Sequence, residues 1–169
     1  MSVTIKFGFL VLGLLALAAN DSRVLAQESG EDADRHAGYY YPAPEAPPEI
    51  YNARARTMVE ASRSLRIGFV TGIVKEQIKK PYPQTTAIFA KGTEAEKLII
   101  VALEDGRIDT IYRARAIFAS MTGSARLLPI FNELGVQEYF TFFDLCKMLG
   151  FKKITISNGR DFTHQVILE

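Results

Sequence analysis

The sequence predicts an α+β fold: two β-hairpins forming a four-stranded, mostly antiparallel sheet with helices packed on one face, after an N-terminal helix. Three observations carry this expectation. Two pairs of short β-rich runs, 85–104 and 153–168, are each joined by a polar, glycine-containing turn. Apolar residues recur at helical spacing in 51–80 and again in 110–126. A short segment between the hairpins carries its own helix start and stop signals.

The chain of 169 residues divides into 1–26, a signal peptide; 27–49, an acidic Tyr/Pro-rich linker; and 50–169, a single α+β domain. Lys6 provides the positive n-region, and Phe7 to Ala19 is an uncharged apolar stretch too short to span a bilayer. Val24-Leu25-Ala26 places small or modest residues at the cleavage position, so cleavage is expected after Ala26, with an earlier site after Ala18. This predicts a periplasmic or secreted protein; the alternative is a chain anchored in the membrane by its N-terminus. Without residues 1–26 the positive and negative charges balance, which argues against nucleic acid as a partner.

Residues 27–49 hold Glu28, Glu31, Asp32, Asp34, Glu45 and Glu49 against Arg35 alone. Tyr39-Tyr40-Tyr41 follows the acids, and prolines at 42, 44, 47 and 48 favour an extended path. Three readings of this segment are a spacer, a recognition segment presenting tyrosines, and an acidic tail folded back on the basic helix that follows.

Residues 51–80 read as that helix, in one or two pieces. Met58, Ser62, Leu65, Phe69 and Ile73 form one stripe, with Ile67, Val70, Val74 and Ile78 beside it. Gly68 and Gly72 weaken its middle, and Pro81 and Pro83 end it. Its seven bases, including Arg54, Arg56, Arg63 and Arg66, are expected largely off the apolar stripe. A basic amphipathic helix of this kind also suits contact with an anionic membrane surface.

Thr85 to Ala90 and Leu98 to Leu103 form the first hairpin, the second run being continuously apolar and so expected at the centre of the sheet. Asp109 is expected to cap a helix from Thr110 to about Arg126, with Ile111, Ala114, Phe118 and Met121 on its inner face. Pro129 limits further helix, and Asn132 to Gly135 reads as a loop. Thr141 and Asp144 form a capping box for a helix from Phe142 to Leu149, with Phe140 and Leu145 as its staple and Gly150 as its C′ residue. Lys153 to Ser157, a turn at Asn158-Gly159 and Phe162 to Leu168 close the chain.

Recognisable catalytic motifs are absent. There is no glycine-rich phosphate loop, no haem or zinc signature, and one cysteine, Cys146, on an apolar helix face. No metal and no cofactor are expected. His164 with Asp161 and Ser157 draws a catalytic set on paper, without a nucleophile-elbow motif. Glu104, Asp105, Asp109 and Asp161 fall near one end of the sheet without a cation-loop spacing. Arg113 and Arg115, with Arg107 and Arg160 in turns, are candidates for an anion site.

The stretches AIFAKGTEAEKLIIVALEDG (87–106), IDTIYRARA (108–116) and FFDLCKMLGFKKITISNGRDFTHQV (142–166) resemble a small exported alphaproteobacterial family of unestablished function over residues 50–169. Its members sometimes carry the label molybdopterin-guanine dinucleotide biosynthesis protein A. That activity implies a Gly-rich nucleotide loop, which this chain lacks, and the resemblance transfers no site residues.

The expected function is therefore a non-catalytic exported domain, an accessory subunit binding an envelope or periplasmic protein partner. The candidate partner-binding residues are Tyr39, Tyr40, Tyr41, Arg54, Arg56 and Arg63. One alternative is a small-ligand or anion binder using Arg113 and Arg115. A further alternative is an enzyme with a site near His164 and Asp161.

Overall fold

A computed structural model of the chain describes residues 41–169. The signal segment, most of the acidic linker, Tyr39 and Tyr40 lie outside the described residues. Among the described residues no helix is long and apolar enough to cross a membrane.

The elements run β1 (Glu49–Tyr51), α1 (Arg63–Ile78), β2 (Thr86–Lys91), β3 (Lys97–Ala102), α2 (Ile111–Arg126), α3 (Pro129–Leu134), α4 (Phe142–Met148), β4 (Lys153–Ser157) and β5 (Thr163–Leu168). They build one mixed α/β arrangement of four helices and a five-stranded sheet in the order β1-β5-β4-β3-β2. Both expected hairpins form: β2 pairs with β3 and β4 with β5, each antiparallel. The sheet differs from the expectation in two ways. β3 and β4 run parallel, because α2, α3 and α4 return the chain to the end from which β3 began. A fifth strand, β1, pairs parallel to β5 at the edge. It can begin only after Pro47 and Pro48, which lack the amide donors a ladder requires.

The first helix is shorter than its sequence pattern suggests. Ser62 does not lie on the stripe; its hydroxyl accepts from the Leu65 amide at 3.2 Å and caps α1. Met58 reaches the core from the extended segment before the helix, held there by its amide donating to Met148 O at 2.9 Å. The segment 132–134, read as loop, belongs to α3, with Pro129 in its first turn, where a missing amide costs nothing. Gly135 ends α3 in the left-handed conformation at φ 65°.

α4 follows its sequence signals closely. Thr141 and Asp144 exchange side chain and backbone contacts as a capping box. At the other end the Gly150 amide donates to Lys147 O and the Phe151 amide to Cys146 O, both at 2.9 Å, with Gly150 at φ 83°. That is the Schellman pattern. Phe140, expected to staple Leu145, sets its ring edge-on to Phe131 at 5.8 Å.

The core lies between the helices and one face of the sheet. Ile88, Leu98, Ile100, Ile154, Ile156, Val166 and Leu168 point inward and meet Val70, Phe118, Phe131, Phe142, Leu145 and Phe151. Cys146 is fully buried here, and burial pushes its thiol well above the usual range. Arg66, expected on a solvated face, is 5% exposed. Its guanidinium donates to Glu94 O at 2.8 Å and to Leu149 O at 3.2 Å, joining α1 to the β2–β3 turn and the end of α4.

Candidate functional site

The sheet end near the start of α2 gathers the charged residues that the sequence singles out. The β3–α2 loop, 103–110, supplies three acids that each meet an arginine. Arg107 Nη1 lies 3.0 Å from Glu104 Oε2, and Arg113 Nη1 lies 3.2 Å from Asp109 Oδ2. Asp105 pairs with Arg160, reaching across from the β4–β5 turn. Among the described residues no group of three or more His, Cys, Asp and Glu side chains is placed to hold a metal ion. Glu104, Asp105 and Asp109 each meet an arginine, and Asp161 accepts from the Asn158 side chain.

Between α2 and the start of β2 lies a groove of about 400 Å³. Its polar lining is Thr86 from β2, Thr85 just before it, Arg107 from the loop, and Arg113 and Ser120 from α2. Ala116, Ile117 and Met121 form its apolar wall. Thr110, not Asp109, caps α2, its hydroxyl accepting from the Arg113 amide at 3.3 Å. Asp109 is thereby left to orient the Arg113 guanidinium. Gly106, at φ 69°, gives this loop a left-handed turn that residues with a Cβ rarely adopt. Two guanidinium groups beside three hydroxyls suit a ligand with a carboxylate or phosphate group, and the apolar wall suits a small hydrocarbon portion.

Arg113 and Arg115 do not converge. Two residues apart on a helix means about 200° around its axis. Arg113 faces the β2 side, whereas Arg115 reaches the opposite sheet edge and meets Glu49 Oε2 at 3.3 Å. The same Glu49 oxygen lies 3.2 Å from His164 Nε2. Of the two arginines that the sequence offers for an anion site, Arg113 lines the groove and Arg115 does not; Thr85, Thr86 and Ser120, which also line it, carry no signal in the sequence. Isolated hydroxyl residues give no signal until the fold places them around one volume.

The paper set of Ser157, Asp161 and His164 is dispersed. His164 stands opposite Ile156 on the inner face, and Ser157 stands opposite Thr163 on the outer face. Ser157 Oγ donates to Phe162 O at 2.6 Å and accepts from the Gly159 amide at 2.9 Å, so it is a turn residue. Asp161 accepts from the Asn158 side chain at 2.6 Å.

The residues expected to bind a partner fall in several places. Tyr41 is 3% exposed. Arg54 and Arg56 lie in the extended segment between β1 and α1, and only Arg63 is on the helix. Arg54 donates to Tyr139 O at 2.8 Å, while Arg56 and Arg63 are exposed.

That segment is fastened by a buried carboxylate. Asp144 Oδ1 accepts from the Arg54 amide at 2.7 Å and the Ala55 amide at 3.4 Å. Oδ2 accepts from the Thr141 amide at 2.8 Å, the Thr141 hydroxyl at 2.9 Å and the Tyr51 hydroxyl at 3.1 Å. Burial raises the Tyr51 phenol above its ordinary value; the Thr141 hydrogen bond opposes this and the Asp144 charge adds to it.

Comparison with family models, with curated proteins and with solved structures finds no match to this chain.

Proposed function

We propose that this chain is a non-catalytic exported binding domain that holds a small organic anion in the groove between α2 and β2. The observation that carries the reading is the convergence of Arg107 and Arg113 with Thr85, Thr86 and Ser120 on one volume of about 400 Å³. The acids beside the two arginines do not close the site. Both pairs are well exposed to water, and such pairs are worth about 0–1 kcal/mol. A ligand carboxylate or phosphate that meets both guanidiniums and the hydroxyls at once outcompetes them.

The test is thermal unfolding of the chain from Gln27 onward with phosphate, citrate, succinate and a neutral sugar. An anion that binds only the native state raises the melting temperature, by about 2.7 kcal/mol of stabilisation at a hundredfold excess over Kd. Arg113→Gln abolishes that rise while leaving the unliganded melting temperature nearly unchanged. Equal melting temperatures with every anion overturn the reading.

A protein partner is the second reading, and one observation favours it. Val59 is 98% exposed, between the exposed Arg56 and Arg63. Crosslinking capture from the native envelope tests it: crosslinks at this segment at matched stoichiometry support it, and their absence counts against it.

A further inference from the structure

Of the five polar side chains that line the groove between α2 and β2, Thr86 is the buried one, 8% exposed. Thr85 is half-buried, and Arg107, Arg113 and Ser120 are exposed. Exposed groups exchange partners with water, whereas a buried hydroxyl must send its one proton to a fixed acceptor. Thr86 Oγ1 is met by Gln77, in the last turn of α1 and outside the groove lining, whose Nε2 donates to it at 3.4 Å. That contact uses an oxygen lone pair and leaves the Thr86 proton free; no described residue accepts it.

The other end of the same amide is the one buried side-chain polar atom without a hydrogen-bond partner among the described residues, Gln77 Oε1. Turned over, the amide would satisfy that oxygen with the Thr86 proton, and the groove would lose a donor. The amide thus has two settings. With Oε1 toward Thr86, the proton goes to Gln77. With Nε2 toward Thr86, the setting in this structure, the proton is kept for the groove and Oε1 goes unpaired.

We infer that Gln77 is a positioning residue of the groove: its amide donates to Thr86 Oγ1 and so turns the Thr86 hydroxyl proton onto a bound oxyanion. The inference rests on the anion reading above and narrows the ligand's head group. A threonine hydroxyl by itself donates to a carboxylate or accepts from an amide with equal ease. Held by Gln77 Nε2, it is set to donate, as the guanidiniums of Arg107 and Arg113 must. The groove therefore favours an ionised head group that only accepts, a carboxylate or phosphate, over a neutral amide or alcohol of the same shape. Hydrogen bonds in series, from Gln77 to Thr86 to the anion, also strengthen one another.

Isothermal titration calorimetry of the chain from Gln27 onward with succinate and with phosphate tests this, beside the melting temperature without ligand. Thr86→Val weakens the anion about tenfold. Gln77→Met, of similar shape but apolar, weakens it about threefold, and the unliganded melting temperature holds or rises because the unpaired oxygen leaves with the amide. Gln77→Glu presents acceptors alone, draws the Thr86 proton back and weakens the anion further still. Combined with Thr86→Val, Gln77→Met makes no additional difference, as a residue acting through that hydroxyl requires. Unchanged affinity in Gln77→Met overturns the inference and leaves the groove reading standing. A loss of equal size with and without Thr86→Val overturns it too, as does a lower melting temperature at unchanged affinity, which would make Gln77 a packing residue. An unmodified chain that binds neither anion overturns the groove reading itself, and the positioning role with it.

Discussion

Removing the Asp144 carboxylate is the most severe test of how the fold is held. Its two oxygens accept from five donors contributed by Tyr51, Arg54, Ala55 and Thr141, and the residue is fully buried. Asp144→Ala strands the Arg54 and Thr141 amides, the two shortest of the contacts at 2.7 and 2.8 Å. A hydrogen bond to a charged group is worth about 1.5–3 kcal/mol, so the loss comes to about 3–5 kcal/mol with some relaxation. Domains of this size are stable by about 5–15 kcal/mol, so the variant sits near the edge of folding. Asp144→Asn keeps one acceptor oxygen and turns a donor toward one of the two amide groups; about 2–3 kcal/mol is expected. Urea unfolding followed by far-ultraviolet circular dichroism measures both. A loss below about 1 kcal/mol for Asp144→Ala would refute the view that this carboxylate ties the 51–55 segment to α4.

Four further outcomes follow from the same structure. Gly150→Ala costs about 2–3 kcal/mol in urea unfolding, because φ is 83° and a Cβ would sit 2.6 Å from Arg66 Nη1, which is itself held by Leu149 O. Arg66→Met leaves Glu94 O and Leu149 O without their donor, and the melting temperature falls, whereas Arg63→Met on the exposed side of α1 leaves it nearly unchanged. Cys146 does not react with an aromatic disulfide reagent until the chain unfolds, since it is fully buried and burial keeps it protonated; fast labelling of the native chain would contradict its place in the core. The Tyr51 phenol titrates higher in the folded chain than in the unfolded one, so its contribution is complete below about pH 10 and is lost as pH rises through the folded value. Tyr51→Phe therefore flattens the fall of stability above about pH 10, as measured by urea unfolding across that range.

Local signals in the sequence were enough for the elements whose ends are dictated by short-range chemistry. Thr141, Asp144 and Gly150 specify α4 because each acts on backbone groups within four residues of itself. The two hairpins were legible for the same reason, through Gly92 and through Asn158-Gly159, whose left-handed glycines sit in the turns. What local reasoning misses is set by long-range pairing. β1 is three residues long and exists only because β5 offers an edge. The parallel register of β3 and β4 depends on where α2 to α4 carry the chain. Met58 and Ser62 fit a helical period while serving as an anchor and a cap, since a spacing of four residues is satisfied equally by a helix and by chance in an extended segment. Arg66 shows the converse: nothing in its neighbours announces that two carbonyls will meet its guanidinium in the interior. The site follows the same division. Arg113 was named from the sequence, but its partners Thr85, Thr86 and Ser120 come from other elements and become a group only in the fold.

The central claim is that the groove between α2 and β2 takes an anion. Its most direct measurement is a nuclear magnetic resonance titration of the isotope-labelled chain with the anion that raises the melting temperature most. The account predicts saturable shifts concentrated at Thr85, Thr86, Arg107, Arg113 and Ser120, absent in Arg113→Gln. Shifts scattered over the charged surface, or shifts that persist unchanged in Arg113→Gln, would contradict it.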